Sequence, residues 1–282
     1  MTTFASKRVY DVWIQLIQDE ELYQAMLDGS HGQLEGRNLD AEALAILDQL
    51  RAEPGTQWNI ENLRYRSADE CAATLVSFMP RMIALLTRGD RDWLQDLCFE
   101  YLAYYHWRAL GHMRLAECER FAGYVRSRIM KRRVAPPHLD DTITFELAVV
   151  RLIRSTMSIA ADAWPVRRLW TEADLATLRP RRSPVQIVLE LAVDLRPWIE
   201  SGDPTRGVVG QGPIDLLIDI PSLDESHRIK TISEGAREVL ERCDGVRTVE
   251  QLANELEDEV GLPAPEVRRL VGTWLNDRIL TA

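Results

Sequence analysis

The residues of this sequence that could bind a metal ion or attack a substrate are few and scattered. There are five histidines and four cysteines. No histidines stand at the HxxxH or HExxH spacing of helical zinc sites, and no cysteines form a CxxC pair. His106 and His112 lie six residues apart, which would place them on different sides of a helix. The spacing therefore predicts no catalytic residue and no metal site in this chain.

The remaining chemical signals have ordinary structural interpretations. Reduced, buried thiols are expected for the cysteines, which are far apart and fall inside helical patterns: Cys71, Cys98, Cys118 and Cys243. The glycine-rich segment 207–212 lacks the lysine and the helix start of a phosphate-binding loop. We expect this segment to be a flexible linker.

Length and charge exclude several classes of protein. A chain of 282 residues is expected to form two domains rather than one, and 46% hydrophobic residues are enough for a core. The formal net charge of -10 would repel a phosphate backbone, so no nucleic-acid partner is expected. No secretory signal and no apolar run of membrane-spanning length is visible, which indicates a cytoplasmic protein without a membrane partner.

The first part of the chain carries a helical pattern. Apolar residues recur at spacings of three and four, which is typical of amphipathic helices. The clearest stretches are 9–17, 40–50, 68–86 and 93–115. We therefore predict a helical domain over residues 1–135. Its aromatic cluster, which includes Tyr104 and Tyr105, suits a core or, where it is exposed, an interface with a partner protein.

Residues 136–206 form a mixed middle segment. It follows a basic cluster (126–133) that is suited either to a solvated face or to acidic residues of a partner. Trp164 and Trp170 flank Pro165 and are suited equally to a core and to an interface. The run 185–195 alternates as a strand does, which we favour, although a capping box at its start would open a helix instead.

The C-terminal region, residues 207–282, has the most consistent pattern. Residues 215–220 and 228–232 alternate as the two strands of a hairpin. Three helices follow, signalled by an N-cap at Ser233, a capping box from Thr248 to Gln251, and a start near Pro265. The predicted fold class is α+β, with the helical domain followed by a small winged-helix domain of three short strands and three helices.

This C-terminal pattern resembles the PqqD-like family, the recognition elements of ribosomally made, post-translationally modified peptides. The residues that carry the resemblance are 232–236, 239–245, 248–253 and 274–280, about the last quarter of the chain. Winged-helix transcription factors share part of the pattern. The family has three strands, whereas two are clear here, and the first is expected at 208–209 or within 185–193.

The resemblance implies where a peptide would bind. In the family, the leader of a precursor peptide adds a strand to the edge of the small sheet and packs against the last helix. An exposed strand offers unpaired N–H and C=O groups for such pairing. The implied peptide-binding residues here are Arg228, Ile229, Lys230, Thr231, Ile232, Arg268, Val271 and Trp274.

The chain as a whole is similar to the partner proteins of multinuclear iron peptide-modifying enzymes (MbnC/TglI-like). This similarity implies a heterodimer with a TIM-barrel enzyme that holds several iron ions and modifies a cysteine residue of the peptide. No cofactor would then belong to this chain, and the iron would lie in the partner. The residues expected to dock the enzyme are Trp164, Trp170, Tyr104 and Tyr105.

The sequence thus predicts a non-catalytic subunit that binds the leader of a precursor peptide and presents it to a separate iron-dependent enzyme. The alternative is a winged-helix, DNA-binding transcriptional regulator, which would need a basic recognition helix. The last helical region carries Arg268, Arg269 and Arg278, but five carboxylates in the helix before it argue against a surface that faces phosphates. A free-standing enzyme is opposed by the lack of a catalytic constellation.

Overall fold

A computed structural model describes residues 3–34, 39–107, 114–132, 136–159, 164, 170–204, 208–222 and 224–282. The chain divides into two units, Met1–Val134 and Ala135–Ala282. The described part of the first unit is helical, whereas the second unit combines helices with short antiparallel strands. The predicted α+β class is confirmed.

Several helices of the first unit begin at capping signals that their sequences carry. The described helices are α1 (Thr3–Gln18), α2 (Glu20–Asp28), α3 (Ala41–Ala52), α4 (Thr56–Phe78), α5 (Pro80–Thr87), α6 (Arg91–Tyr104), α7 (Arg114–Tyr124) and, after a π-helical stretch (Val125–Ile129), α8 (Met130–Arg132). Aspartates Asp19, Asp40 and Asp90 cap the starts of α2, α3 and α6 by accepting hydrogen bonds from backbone N–H groups. A core that includes Leu16, Met26 and other fully buried side chains joins the first four helices.

One helix prediction was wrong. The sequence suggested a continuous helix over residues 93–115, but α6 ends at Tyr104. His106 adopts a left-handed backbone (φ 53°), and the Trp107 N–H donates to the Leu102 carbonyl at 2.7 Å, so the last turn closes on itself. The Trp107 ring then packs against Phe99 and over Arg64. A cap without glycine left no signal in the sequence.

The second unit contains a three-stranded antiparallel sheet in the order β2–β3–β4. Its helices are α9 (Leu139–Thr156), α10 (Glu172–Leu175), α11 (Arg196–Glu200), α12 (Glu234–Arg242), α13 (Val249–Val260) and α14 (Ala264–Asn276). Its strands are β1 (Arg181–Arg182), β2 (Gln186–Leu191), β3 (Ile214–Asp219), β4 (Arg228–Ile232) and β5 (Leu280–Thr281). The predicted hairpin of β3 and β4 and the favoured strand within 185–195 are confirmed. The first strand of the sheet therefore lies before residue 207, within the middle segment.

The capping signals of α12 and α13 are also confirmed, and α14 begins at Ala264, next to the predicted start at Pro265. The Ser233 side chain accepts a hydrogen bond from the Ala236 N–H at the start of α12. Thr248 and Gln251 form the reciprocal capping box of α13, and Gly261 ends that helix with φ 75°. The three helices enclose one apolar core, which also takes Leu217 from β3. This core fixes the sheet against α12, α13 and α14.

Residues 170–183 wrap around the ends of these helices, and we call them the strap. The backbone N–H of Gly245 donates to the Pro180 carbonyl, and that of Val249 donates to the Leu178 carbonyl, both at 2.9 Å. Leu175 lies in the apolar core, where a Cβ atom at Gly272 would come within 2.9 Å of it. The short strands β1 and β5 pair at the end of the strap. The strap is thus part of the same packed body as α12, α13 and α14.

The four cysteines are free and buried, as predicted. Burial raises the pKa of Cys243 to about 12, and a hydrogen bond with Cys98 together with burial raises the pKa of Cys71 far above its ordinary value. Thiols in such surroundings are poor nucleophiles because they stay protonated. The cysteines therefore act as core residues.

Among the described helices, none is by itself long and apolar enough to cross a membrane. Helices α4 and α5 meet the requirement of length and composition only together, and the pair is bent by 116°.

Candidate functional site

Strand β4 forms one edge of the three-stranded sheet. It pairs with β3 alone, in the register that sets Lys230 opposite Leu217 and Thr231 opposite Leu216. In the described part of the chain, no backbone hydrogen bond joins Ile229 or Thr231 to a further segment. The edge of β4 is therefore open to an additional strand.

The pairing of β2 with β3 decides which groups of β4 point outward. The Ile220 N–H donates to the Val185 carbonyl at 3.0 Å, so these two residues form a hydrogen-bonded pair at the end of the ladder. Such pairs alternate with non-hydrogen-bonded pairs in an antiparallel ladder. Ile218 and Leu216, two and four residues further along β3, therefore also turn their backbone groups toward β2.

Residue Leu217, between them, turns its backbone groups toward β4 and pairs there with Lys230. By the same alternation, Arg228 and Ile232 also bond inward to β3. The outward backbone N–H and C=O groups of β4 are consequently those of Ile229 and Thr231. These two residues are the available hydrogen-bonding positions of the edge.

The side chains of β4 alternate between the two faces of the sheet. Ile232 packs against the core that the last three helices form. On the same face, Lys230 Nζ lies 2.7 Å from Asp277 Oδ2, and Arg228 Nη2 donates to the Asp277 carbonyl at 2.8 Å. Ile229 and Thr231 point to the opposite face. The end of α14 is therefore tied to the edge strand through Asp277.

Arg228 has a largely structural role. Its guanidinium also pairs with Asp219, which is 1% exposed, and Nε lies 3.1 Å from Asp219 Oδ2. A buried carboxylate without such a partner would be strongly unfavourable. Arg228 therefore stabilises the sheet. Lys230 lies nearer the middle of the open edge.

The predicted residues of α14 lie on different sides of that helix. Successive residues turn by about 100°, so Arg268 and Asp277, nine residues apart, point in opposite directions. Arg268 indeed pairs with Glu250 of α13, through hydrogen bonds of 2.6 and 2.9 Å. Val271 and Trp274 are buried in the core, 0% and 5% exposed. The structure thus does not bring Arg268 to β4, and Val271 and Trp274 support the helix from inside.

Leu270 was missed by the sequence reasoning. It lies seven residues before Asp277 and therefore on the same side of α14, toward β4. Its side chain is partly buried and packs against the core. We use the name edge site for β4 together with Leu270 and Asp277. Helical spacing groups Leu270 with the other apolar residues of α14. Only the contacts of Asp277 with β4 show that this side of the helix faces the strand.

The residues predicted to dock a partner protein have different surroundings. Tyr104 is 43% exposed, and the Arg128 guanidinium lies 4.4 Å from its ring centroid. Tyr105 is partly buried beside Arg120. Trp170 packs against the C-terminal core, and its backbone N–H donates to Asn276 Oδ1 at 3.0 Å.

Trp164 is partly buried, and residues 165–169 of its segment lie outside the described residues, as does His112. In the part of the chain that the structure describes, no three His, Cys, Asp or Glu side chains are grouped so that they could hold a metal ion.

The comparison with protein families falls on the edge site. Residues 224–278 match the family model of coenzyme PQQ synthesis protein D (PqqD). The match covers β4, α12, α13 and α14, whereas β2, β3 and the strap lie outside it. No curated protein matches the chain. The predicted resemblance of the C-terminal region to PqqD is thereby confirmed for these residues.

Proteins of the PqqD family are non-catalytic accessory proteins that bind precursor peptides of ribosomal origin and act with radical SAM-type enzymes. The PqqD-like segment of this chain contains both the open strand and the helix that lies beside it.

Proposed function

We propose that this chain is a non-catalytic, cytoplasmic subunit that binds the leader of a ribosomally made precursor peptide and presents it to a separate modifying enzyme. The observation that carries the proposal is the coincidence of the PqqD match with the open edge of β4. A family relationship alone would leave the position of the peptide undefined. The outward groups of Ile229 and Thr231 support a position for the peptide along β4.

The peptide would bind as a fourth strand of the sheet. Its backbone would pair with the outward N–H and C=O groups of Ile229 and Thr231. A peptide side chain opposite Lys230 would point to the face on which Leu270 and Asp277 lie, because directly opposed residues share a face. The next side chain along the peptide would point to the other face. Affinity would come from the backbone, and sequence preference from these two faces.

The proposal extends to the class of enzyme that receives the peptide. From the resemblance noted in the sequence to MbnC/TglI-like partner proteins, we propose a TIM-barrel multinuclear iron enzyme that modifies a cysteine residue. The PqqD family as a whole favours a radical SAM-type enzyme instead. In either case we propose that the catalytic metal belongs to the partner and that this chain holds no cofactor.

The first unit is proposed to dock the enzyme. A peptide-binding domain does not need the helices α1 to α8, so they require another role. Tyr104 offers an exposed ring that Arg128 already orients, and aromatic residues with arginine are enriched at protein interfaces. Holding enzyme and peptide on one chain would raise the local concentration of the substrate.

Binding of nucleic acid finds no support in the charges of the last helices. Arg268 pairs with Glu250. Arg247 pairs with Glu255 and with Asp244, and Arg242 pairs with Glu259. Guanidinium groups that are already bound to carboxylates are poorly placed to replace the counterions of a phosphate backbone. No specific observation therefore favours the regulator.

The proposed peptide site can be tested by hydrogen exchange measured by NMR on the full chain. The probes are synthetic peptides made from short reading frames next to the gene of this protein. In the free chain we expect fast exchange for the amides of Ile229 and Thr231, and slow exchange for Lys230, which bonds to β3. A bound peptide should slow the first two and leave Lys230 unchanged. Binding that protects other amides but not these two would contradict the proposed site.

The role of the enzyme can be tested by reconstitution. The full chain, a peptide that binds it and a candidate iron enzyme or radical SAM enzyme are combined, and the modified peptide is measured by mass spectrometry. We expect product with one enzyme and a strong dependence on this chain. A Tyr104→Ala variant tests the docking role of the first unit in the same reaction. It should bind the peptide normally but support less product. Equal product without this chain would contradict the presenting role.

A further inference from the structure

Arg196 places a guanidinium group beside the open strand. It is the first residue of α11, and its Nη1 donates to Thr231 Oγ1 at 3.0 Å. Thr231 is one of the two residues whose backbone groups point outward from β4. The contact lies on the face opposite to Lys230 and Asp277. Arg196 therefore belongs to neither the core nor the ion pairs that hold α14 to the edge strand.

The position of this guanidinium is fixed by Asp194. Arg196 Nε lies 2.9 and 3.1 Å from the two carboxylate oxygens of Asp194, and Nη2 lies 2.6 Å from Oδ2. Asp194 is 8% exposed, and its Oδ1 also accepts the backbone N–H of Arg196 at 2.9 Å. These hydrogen bonds hold the pKa of Asp194 below its ordinary value. The carboxylate is therefore charged and holds the arginine in one orientation.

The backbone around Asp194 and Arg196 is held in place by buried residues and by a close contact with Gly210. Leu195 and Trp198 are buried and anchor α11, and the Trp198 indole donates to the Asp203 carbonyl at 3.1 Å. Gly210 lies so close to Asp194 that a Cβ atom there would come within 3.1 Å of the aspartate Cβ. An arginine held this firmly loses little conformational entropy when it binds a further group.

The guanidinium retains unused donors. Of its five N–H groups, the contacts described use the one on Nε, one on Nη2 and one on Nη1. Among the described residues, the other N–H of each terminal nitrogen has no partner. About one third of the side chain is exposed, 36%. Each of these two N–H groups can donate to an oxygen of a carboxylate.

We infer that Arg196 is a specificity residue that recognises an aspartate or glutamate side chain of the bound peptide. The inference rests on the proposed function, because the peptide must lie along β4. The recognised residue would be the one that pairs with Thr231, since directly opposed side chains in a sheet share a face and lie within reach of each other. Asp194 partly neutralises Arg196, so the preference would come from hydrogen-bond geometry and would be moderate.

The preference can be measured with a display library of random short peptides, selected on the full chain and on its Arg196→Gln variant. Wild-type selection should enrich Asp or Glu at one position, and selection on Arg196→Gln should lose that enrichment. Arg237→Gln is the matched control. Arg237 pairs with Glu190 and Asp215 and lies on α12, so its loss should leave the enriched position unchanged.

A selected peptide and its Glu→Gln counterpart are then compared by fluorescence anisotropy. The wild-type chain should bind the Glu peptide about tenfold more tightly. Arg196→Gln should bind both peptides equally, and Arg196→Lys should fall between, because lysine keeps the charge without the planar fork. The comparison of the two peptides on the wild-type chain holds even if a variant folds poorly.

Two negative outcomes have different meanings. Selected peptides that depend on β4, shown by their loss on Thr231→Pro, but that carry no acidic position would overturn the role of Arg196 and leave the proposed function intact. Equal affinity for the Glu and Gln peptides would do the same. Peptides that bind independently of β4, or no peptides at all, would instead contradict the proposed function.

Discussion

The two edges of the three-stranded sheet differ in their neighbours rather than in their strands. Both edge strands are short, six residues in β2 and five in β4, and both turn alternate backbone groups away from β3. Helix α9 packs against β2, and Asp141 of this helix accepts the Ala192 N–H at 3.3 Å just beyond the strand. At β4, by contrast, the contacts come from side chains at the end of α14 and from Arg196.

The difference shows that the availability of a sheet edge depends on the elements that surround it. The strand sequences of β2 and β4 satisfy the same alternation, so neither is marked as the open one. The PqqD match adds an independent distinction, because it includes β4 and excludes β2. We therefore propose that β2 is the edge that holds the domain together and that β4 is the edge that binds the peptide.

The largest expected effect comes from removing the β2 edge altogether. A fragment that begins at Gly212 lacks β2 and the strap, which together supply one side of β3 and the hydrogen bonds to Gly245 and Val249. We expect this fragment to lose cooperative unfolding and all peptide binding. A fragment of residues 135–282 keeps both elements, and it should unfold cooperatively and bind with the affinity of the full chain. Circular dichroism melting and fluorescence anisotropy measure the two properties.

Binding by the shorter fragment would show that β2 is dispensable. The stabilising role assigned to β2 would then be wrong. The longer fragment serves a second purpose in the reconstituted reaction. Since it lacks the first unit, it should bind the peptide without supporting modification.

The second largest effect is expected from a proline substitution, which can be compared at the two edges. Thr231→Pro removes an outward N–H of β4, and Glu190→Pro removes an outward N–H of β2. Loss of a buried hydrogen bond corresponds to about ten- to a hundredfold in affinity, so Thr231→Pro should weaken peptide binding by that amount. Glu190→Pro should leave it unchanged. Titration of a labelled peptide against both variants measures the difference.

A further variant separates the backbone from the side chain. Thr231→Val removes the hydroxyl that contacts Arg196 but keeps the N–H group. It should retain most of the affinity. Similar losses for the β2 and β4 proline variants would indicate a general weakening of the sheet, and the assignment of β4 as the binding edge would then be wrong.

Much of the second unit could be predicted from the sequence because its signals are local. Ser233 and the Thr248–Gln251 box mark helix starts within four residues of the groups that they cap. The position of the first strand could not be decided in this way. Its pairing with β3 joins residues more than twenty positions apart, and its alternation also suits other segments.

The prediction of which face of α14 meets the sheet was wrong for a different reason. Periodicity shows which residues share a face, but it does not show which face meets the sheet. Arg268 was predicted to lie on the peptide-binding face of this helix, although its partner is Glu250. The deciding contact is that of Lys230 with Asp277, which depends on how the end of the helix is placed against β4.

The smallest expected effect tests this orientation. Leu270→Gln replaces an apolar side chain on the side of α14 that faces β4, and Arg268→Gln changes a residue on the opposite side. Removing an apolar contact of this size from a binding surface corresponds to about tenfold in affinity. We expect Leu270→Gln to weaken peptide binding by about that factor and Arg268→Gln to leave it unchanged. Both affinities come from the same anisotropy titration, after melting curves have shown that each variant is folded. A loss for Arg268→Gln without one for Leu270→Gln would place the peptide on the far side of α14, away from β4.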